Sequence, residues 1–568
     1  MARLTRFVRI AIWGALPVLI ACGGGGGSSP PPVPPAPPPP PPPPATDTEY
    51  RASGPSLFAP NCDGVAASGT VFVNAEVEPY LAVNPLDSNN LLGMWQQDRW
   101  SNGSARGLVS ATSLDGGQTW TRRAMAFSRC GGGNFGNGGD YARATDPWVT
   151  FAPDGTAHAM SLSTNGSSFQ PGSANAMLAS RSTDQGRSWS TAVTLIRDDA
   201  GFFNDKNAIT ADPTDPAYVY AVWDRLVAGD GGGPTYFART TNGGFTWEPA
   251  RPIHDPGPAS QTIGNVIVVL PGGVLVNLFT RIDRAGNGST SAHLAVIRSA
   301  DKGLTWSPPS RIADLLAVGT RDPQTGTAVR DGSVLAQVAV GGNGHLFVVW
   351  QDARFSNGVL DAIAISRSTD GGVSWSAPSR VSTASGVAAF TPSVHVRPDG
   401  VLGVTYYDFR SNTTAAATLP TDYWLARSGD GGVTWTESRV SSPFDLATAP
   451  NAGGYFIGDY QALKSRGNVF VPFFVKTNSG DLNNRTDVFA APAVSIAGAV
   501  SARAVPSPEA SQAQTAERAV SPTFRVSAEL QQRVSDQLVR SMQARVRGWG
   551  EATMRVPPQT PPTETLPR

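Results

Sequence analysis

The sequence predicts an all-β protein built from a repeated four-stranded unit, and three observations support this. A pattern of the form Ser/Thr-x-Asp/Asn-x-Gly-x-Ser/Thr-Trp occurs six times, with its Asp or Asn 58 to 69 residues from the next. A period of this length is typical of repeat architectures. Short apolar runs recur between the copies, as expected for buried strands. The 61 glycines and the low charged fraction of 15% suit a chain with many turns.

Each copy of the pattern predicts a hairpin turn. The Asp or Asn side chain bonds the turn backbone, and the glycine supplies a left-handed backbone position. The Trp ring then packs between neighbouring units. The six Asp or Asn positions are Asp115, Asp184, Asn242, Asp301, Asp370 and Asp430.

The second strands of the units can be counted independently of the turns. Seven runs alternate or are wholly apolar, at 91–96, 157–162, 218–223, 274–279, 346–350, 402–407 and 469–474. The seventh unit lacks a fourth strand of its own. We expect Thr70–Asn74 to supply it and so to close the ring, which leaves no exposed sheet edge. Seven units are therefore favoured over six.

The turn pattern resembles the Asp-box, or BNR repeat, of the sialidase superfamily. This resemblance covers about residues 71–492 and implies a β-propeller of four-stranded blades with Asp-box turns. Catalytic sialidases suggest six blades, which stays the alternative to the seven counted from the strands. A propeller at residues 50–498 is the domain that we expect.

The same resemblance implies a Tyr nucleophile paired with Glu, an Asp acid/base, and three Arg that hold the substrate carboxylate. Tyr460 occupies a place comparable to that of the nucleophile. Glu78, followed by Pro and Tyr, stands where the family has an Arg, and the loop after Arg99 contains no Asp. The catalytic candidates are therefore Tyr460, Glu78 and Asp146, and ordinary exo-α-sialidase chemistry is not expected.

One face of the predicted propeller gathers charged residues. In a meander of strands, the ends of the second strands and the starts of the first strands lie opposite the Asp-box turns. The ligand-binding candidates there are Arg99, Arg225, Arg281, Arg354, Arg410, Asp98, Asp205 and Asp459. Two interpretations stay open: local ion pairs that tie the loops of each repeat, or a ring that binds an anionic or polar glycan.

The two ends of the chain are predicted to lie outside the propeller. Residues 1–22 have a basic start and a short apolar run, and they close on Leu-Ile-Ala-Cys22, which resembles a bacterial lipobox. We expect a lipid on Cys22 and an outer-membrane location, against the alternative of an ordinary cleaved signal. Residues 23–49 form a Gly/Ser/Pro-rich linker. Residues 499–568 form a low-complexity tail with an amphipathic helix at about 524–549, either docked on protein or lying on a membrane.

Cysteines and charge limit the remaining chemistry. Cys62 and Cys130 allow one disulfide in an exported protein, or they are two unrelated thiols. Lys plus Arg and Asp plus Glu both number 44, and this balance argues against nucleic acid as a partner. The five histidines are isolated and lack metal-ligand spacing, so we expect no metal and no cofactor.

Two functional hypotheses remain. The first is a sialidase-like propeller of the cell envelope that binds or processes glycans through the face opposite the Asp-boxes. If it is an enzyme, it is a glycoside hydrolase of exo-α-sialidase type. The second is a non-catalytic binding or scaffold propeller of the outer membrane, with a cell-envelope component as its partner.

Overall fold

The computed structural model describes residues 49–66, 68–229, 231–492 and 526–545. The predicted signal segment with Cys22, nearly all of the linker and most of the C-terminal tail lie outside these residues. The described part is almost entirely antiparallel β, with one α-helix, α1 (Ala528–Arg545). Short 3-10 helices lie at Arg129–Gly131, Phe135–Asn137, Ala353–Ser356 and Leu446–Thr448.

Most strands belong to seven antiparallel units of four strands each. Two short strands come first, β1 (Tyr50–Arg51) and β2 (Val71–Phe72). Unit 1 contains β3 (Val77–Asn84), β4 (Asp87–Trp100), β5 (Ala105–Ser113) and β6 (Thr121–Ala124); unit 2 contains β7 (Arg143–Phe151), β8 (Ala157–Asn165), β9 (Ala174–Ser182) and β10 (Val193–Asp198). Unit 3 contains β11 (Phe202–Ala211), β12 (Val219–Val227), β13 (Thr235–Thr240) and β14 (Arg251–His254); unit 4 contains β15 (Ser260–Val269), β16 (Leu275–Arg284), β17 (Thr290–Ser299) and β18 (Ser310–Asp314).

The remaining strands complete the set. After β19 (Val329–Arg330), unit 5 contains β20 (Gln337–Val340), β21 (Leu346–Asp352), β22 (Ala362–Ser368) and β23 (Ser379–Arg380). Unit 6 contains β24 (Ala389–Val396), β25 (Leu402–Asp408), β26 (Pro420–Ser428) and β27 (Thr436–Asp445). After β28 (Tyr455–Phe456), which pairs with β19 in parallel, unit 7 contains β29 (Ala462–Arg466), β30 (Val469–Thr477) and β31 (Thr486–Ala490), with β1 as its fourth strand.

The first strands of the units lie next to one another. Each first strand contacts the first strand of the next unit, in the order β3, β7, β11, β15, β20, β24 and β29. The last of them, β29, contacts β3 and so completes the cycle. Units 1 and 2 are also joined by a single pair, Ala105 with Ala144. The second strands carry the fully buried Trp95, Trp223 and Trp350. The apolar core therefore lies between neighbouring units.

The strand that completes unit 7 differs from the sequence prediction. Thr70–Asn74 does not supply it, because Val71 and Phe72 pair with Trp100 and Arg99 of β4. Instead Tyr50–Arg51 pairs with β31. The Ser53 hydroxyl fixes this pairing by donating to the buried Asp487 carboxylate at 2.5 Å. A strand of two residues is too short to show any periodicity in the sequence.

The six Asp or Asn turns share one hydrogen-bond pattern. In the first turn, the Gly117 amide donates to the Ser113 hydroxyl at 2.8 Å and the Thr119 amide donates to the Asp115 carboxylate at 2.9 Å. The Trp that follows the turn packs on the unit that lies next to its own. The Trp120 ring lies 5.5 Å from the Phe473 ring of unit 7. The turns thus link each hairpin to its neighbour.

The N-terminal segment is tied to unit 1 by a disulfide between Cys62 and Cys130, whose Cα atoms are 4.8 Å apart. The C-terminal helix α1 buries the stripe Leu530, Val534, Leu538 and Met542 against the β core. This is the docked arrangement, so the apolar stripe is not free to lie on a membrane. No helix in the described ranges is long and apolar enough to span a membrane.

Candidate functional site

The first strands of five units share a bulge. In each, two residues are skipped in the pairing with the second strand, and the first of the two has a positive φ. These residues are Glu78 (52°), Asp146 (54°), Lys206 (48°), Gly264 (70°) and Thr391 (50°). Only glycine adopts this conformation freely, and each other residue there costs about 1–3 kcal/mol. Such strain is concentrated at functional sites, which draws attention to the three charged residues.

Those three charged residues meet in one buried cluster. The Lys206 Nζ lies 2.7 Å from the Asp459 carboxylate, 3.3 Å from that of Glu78 and 3.7 Å from that of Asp146. The four residues come from units 1, 2 and 3 and from the segment before β29. The cluster therefore exists only when distant parts of the chain have come together.

Two arginines extend this cluster. Arg330 of β19 makes a two-pronged contact with Asp459, at 3.1 and 2.7 Å. The guanidinium groups of Arg330 and Arg99 both lie over the buried Phe456 ring, at 4.4 and 4.6 Å from its centroid. Arg99 donates to Gln96 at 2.6 Å, and within the described ranges it forms no ion pair and its Nε has no hydrogen-bond partner.

Burial and charge move the pKa values of the cluster in opposite directions. Burial raises the pKa of Glu78 to about 8, and Asp459 and Asp146 add to this effect against Lys206. Burial alone would also raise the pKa of Asp459, but Arg330 and Lys206 hold it well below its ordinary value. Burial lowers the pKa of Arg99 to about 10, with help from the Arg330 charge. Near neutral pH the cluster thus holds a protonated Glu78 and an excess of positive charge.

Glu78 should give the folding stability a distinctive pH dependence. Because its pKa rises from 4.5 to about 8 on folding, the folded protein keeps a proton that the unfolded chain releases. This stabilisation is complete below about pH 4.5 and is lost as the pH rises toward about 8. We expect a loss of up to about 1.4 kcal/mol per pH unit in this window, and we expect Glu78→Gln to remove it. Denaturant titrations across the window measure it, and parallel profiles for variant and wild type would contradict the prediction.

The cluster forms one side of a cavity of about 160 Å³, which we call the central cavity. Its charged lining includes Arg99, Asp146, Asp205, Lys206, Arg330 and Asp459. A cavity of about 150 Å³ holds one benzene molecule, so this volume suits a single six-membered ring. Polar groups that converge on such a cavity mark a ligand site.

A further buried arginine holds the loop on the other side of the cavity. The Arg143 guanidinium donates to the Asn102 side chain at 2.9 Å and to the Gly103 carbonyl at 2.8 Å. It also stacks over Trp100, 4.2 Å from the ring centroid. Asn102, Gly103 and Ser104 line the cavity, so Arg143 is a positioning residue for this wall.

The structure does not place Tyr460 on the wall of the cavity. Its ring is buried against Trp148, with centroids 5.4 Å apart, and its hydroxyl donates to the Pro147 carbonyl at 3.3 Å. Burial, reinforced by the nearby carboxylates, raises the pKa of Tyr460 well above its ordinary value. Tyr460 thus supports the floor of the cluster, and its environment disfavours the phenolate that a nucleophile needs. Glu78 is likewise fully buried, and its carboxyl group contacts Lys206, the Gln96 side chain and the Asp459 backbone amide.

Four of the predicted arginines do not converge on the cavity either. Each is held by a nearby carboxylate: Arg225 by Asp198, Arg281 by Asp283, Arg354 by Asp352, and Arg410 by Asp408. Asp98 accepts from Ser56 and pairs with Arg106, away from the cavity. These residues therefore form local ion pairs, which is the first of the two interpretations given from the sequence. Arg99, Asp146, Asp205 and Asp459 do line the cavity.

Sequence reasoning missed Lys206 and Arg330 as site residues. Lys206 carries no motif, and only its place next to Asp205 at the start of a first strand could have indicated it. Arg330 lies in a two-residue strand between units, outside any repeat pattern. No three His, Cys, Asp or Glu in the described part of the chain are grouped so that they could hold a metal ion.

Comparisons with known proteins give distant similarities. No protein-family model matches the sequence, and no curated protein matches it. The chain is similar to the Hadza microbial sialidase Hz136, with 18% identity over 74% of this chain and 66% of that one, at a TM-score of 0.38. It is also similar to an alpha-L-arabinanase from Penicillium chrysogenum, with 15% identity over 78% and 97% of the two chains, at 0.40. A protein of unknown function from Dyadobacter fermentans has 15% identity over 74% and 96%, also at 0.40. Similarities this distant say nothing about the chemistry of the cavity.

Proposed function

We propose that the protein is a seven-bladed β-propeller of the sialidase-like type, with Asp-box turns. Two observations support the proposal. The seven four-stranded antiparallel units have first strands that contact one another in a cycle, which is the arrangement of blades around a propeller axis. The six Asp or Asn turns have the hydrogen bonds expected of Asp-boxes, and the Trp120 and Trp306 rings that follow two of them pack on neighbouring units.

The central cavity, in this proposal, binds the acidic end of a glycan. The observation that carries it is Arg99, a buried guanidinium that lines the cavity and has no carboxylate partner among the described residues. Arg330 and Lys206 lie beside it and, with Glu78 protonated, leave the cluster positively charged. An Arg fork suits the geometry of a carboxylate, and a charge pair is stronger in a buried site than in water. The volume suits one sugar ring.

The proposed activity is binding without hydrolysis of exo-sialidase type. A covalent mechanism needs a nucleophile that the substrate can reach and a base that activates it. Tyr460 is buried below the cavity, and its hydroxyl is engaged by the Pro147 carbonyl. Among the described residues, the cavity therefore offers recognition groups but no tyrosine in its lining.

A glycan array with purified protein tests this proposal. We expect binding to glycans that end in an acidic sugar, and none to their neutral counterparts. Arg99→Gln should weaken that binding about 10- to 100-fold, because a hydrogen bond to a charged group contributes ~1.5–3 kcal/mol. Arg123→Gln is the matched control, since Arg123 is exposed on β6 and is not among the residues that line the cavity. Equal loss in both variants, or a preference for neutral glycans, would contradict the proposal.

We further propose that a lipid on Cys22 attaches the protein to the bacterial outer membrane. The support is the lipobox-like Leu-Ile-Ala-Cys22 and the proline-rich segment after it, which suits a spacer between membrane and propeller. Cys22→Ser should then leave the protein unlipidated and release it from the membrane fraction. Mass spectrometry and cell fractionation measure this, and unchanged membrane association would count against the anchor.

A further inference from the structure

The helix α1 forms part of the wall of the central cavity. Its apolar stripe is buried, with Leu538 only 1% exposed. A neighbouring stripe of the same helix, Gln537, Arg540, Ser541 and Ala544, lines the cavity. One helix of the low-complexity tail therefore lies at the proposed ligand site.

Specific contacts fix this helix in place. The Thr290 amide donates to the Ser535 hydroxyl at 2.9 Å, and Arg533 donates to the Val359 carbonyl at 2.9 Å. The Gln537 amide donates to the Ser333 hydroxyl at 2.9 Å, inside the cavity wall. Gln537 also packs against Gly319, where an added Cβ would lie 2.4 Å from its side-chain oxygen. This close contact holds Gln537 against the loop at Gly319.

The helix also brings charge to the edge of the cavity. The Arg540 guanidinium donates to Gln537 of the same helix at 2.9 Å, and in the described part of the chain it forms no ion pair. Arg321, from the loop before β19, lines the same edge. Two cations therefore lie together at this edge of the cavity.

We propose that helix α1 is a cover that restricts the central cavity to one terminal acidic residue, with Gln537 as the barrier and Arg540 as a specificity-determining residue at its edge. This inference rests on the proposed glycan binding for its ligand, but not for its geometry. The cavity volume admits one ring while the helix is docked. Displacement of the helix opens the wall formed by Gln537 and exposes Ser333.

The alkylation rate of a cysteine introduced at position 333 measures whether helix α1 covers the cavity, and this measurement needs no ligand. In the full chain carrying Ser333→Cys, we expect slow alkylation by iodoacetamide and by a bulky maleimide, with peptide mapping to separate this site from Cys22. Leu538→Asp should release the helix and speed alkylation at least tenfold. Gln531→Asp adds the same charge on the exposed side of the helix, with no acidic residue three or four positions away, and should change nothing. Should Leu538→Asp unfold the β core by circular dichroism, Gln537→Ala replaces it, because that change leaves the apolar stripe intact.

Glycan length is the second readout. Galacturonic acid and its linear trimer are titrated against the wild type and the released variant, and we expect the trimer to gain at least tenfold in affinity on release. If the cysteine at position 333 reacts equally fast in the wild-type background and in the released variant, helix α1 does not cover the cavity. If that cysteine reacts faster on release but the trimer binds no more tightly, the helix does not limit the length of the bound glycan. A faster thiol with no acidic sugar bound in either state would support the cover and contradict the proposed function instead.

Discussion

Lys206→Met is expected to destabilise the protein by about 3–5 kcal/mol, which is the usual effect of removing one partner from a buried ion cluster. Lys206 contacts the buried carboxylates of Asp146 and Asp459 and the buried carboxyl group of Glu78. The carboxylates outweigh burial and raise its pKa, so the ammonium stays charged. Without it, Arg330 is the one described residue that still pairs with Asp459, and Asp146 loses its ion pair. Urea titration at neutral pH measures the loss.

Two further variants separate this effect from a general loss of packing. Lys464→Met removes a half-buried lysine whose ammonium contacts Tyr80, and it should change stability by less than about 1 kcal/mol. Adding Asp146→Asn to Lys206→Met should restore part of the stability, because one uncompensated carboxylate then disappears. A Lys206→Met protein as stable as the wild type would show that the cluster is not held by its charges.

Hydrolysis of an aryl sialoside by the purified protein is expected to stay at the level of background. General acid–base catalysis alone typically contributes ~100- to 10,000-fold to a rate, and nucleophilic catalysis adds to it. Here the Tyr460 hydroxyl is buried, its pKa is raised, and it lies outside the cavity lining. The one carboxyl group of the cluster with a raised pKa, Glu78, is also fully buried.

The matched variant for this assay is Tyr460→Phe, which removes only the hydroxyl. It should leave the background rate unchanged and cost at most a small amount of stability, through the contact with the Pro147 carbonyl. Rapid hydrolysis by the wild type that disappears in Tyr460→Phe would contradict the account. In that case the hydroxyl must become accessible in a conformation other than this one.

Local patterns in the sequence predicted the fold better than the site. The repeated turn and the apolar second strands carry strong periodic signals, because each blade-like unit must bury the same positions. The closing strand Tyr50–Arg51 escaped prediction because two residues show no period. Its pairing depends on distant partners such as Asp487.

The site was predictable only in part, for a physical reason. The arginines at the ends of the second strands looked alike in sequence. Arg354 is held by its own loop through Asp352, whereas Arg99 pairs with no carboxylate among the described residues and lines the cavity. The difference comes from the neighbours that the fold supplies. Lys206 and Arg330 likewise gain their roles from Asp459, a residue more than 100 positions away in the chain.

The most direct test of the central claim is calorimetric titration with an acidic sugar and its methyl ester. The two ligands differ in one charge and little else, so any difference reports on the cations around the cavity. We expect the acid to bind at least tenfold more tightly than the ester to the wild type, and we expect Arg99→Gln to abolish this preference. Equal affinities for the acid and the ester, or a preference that survives in Arg99→Gln, would contradict an anion-binding cavity centred on Arg99.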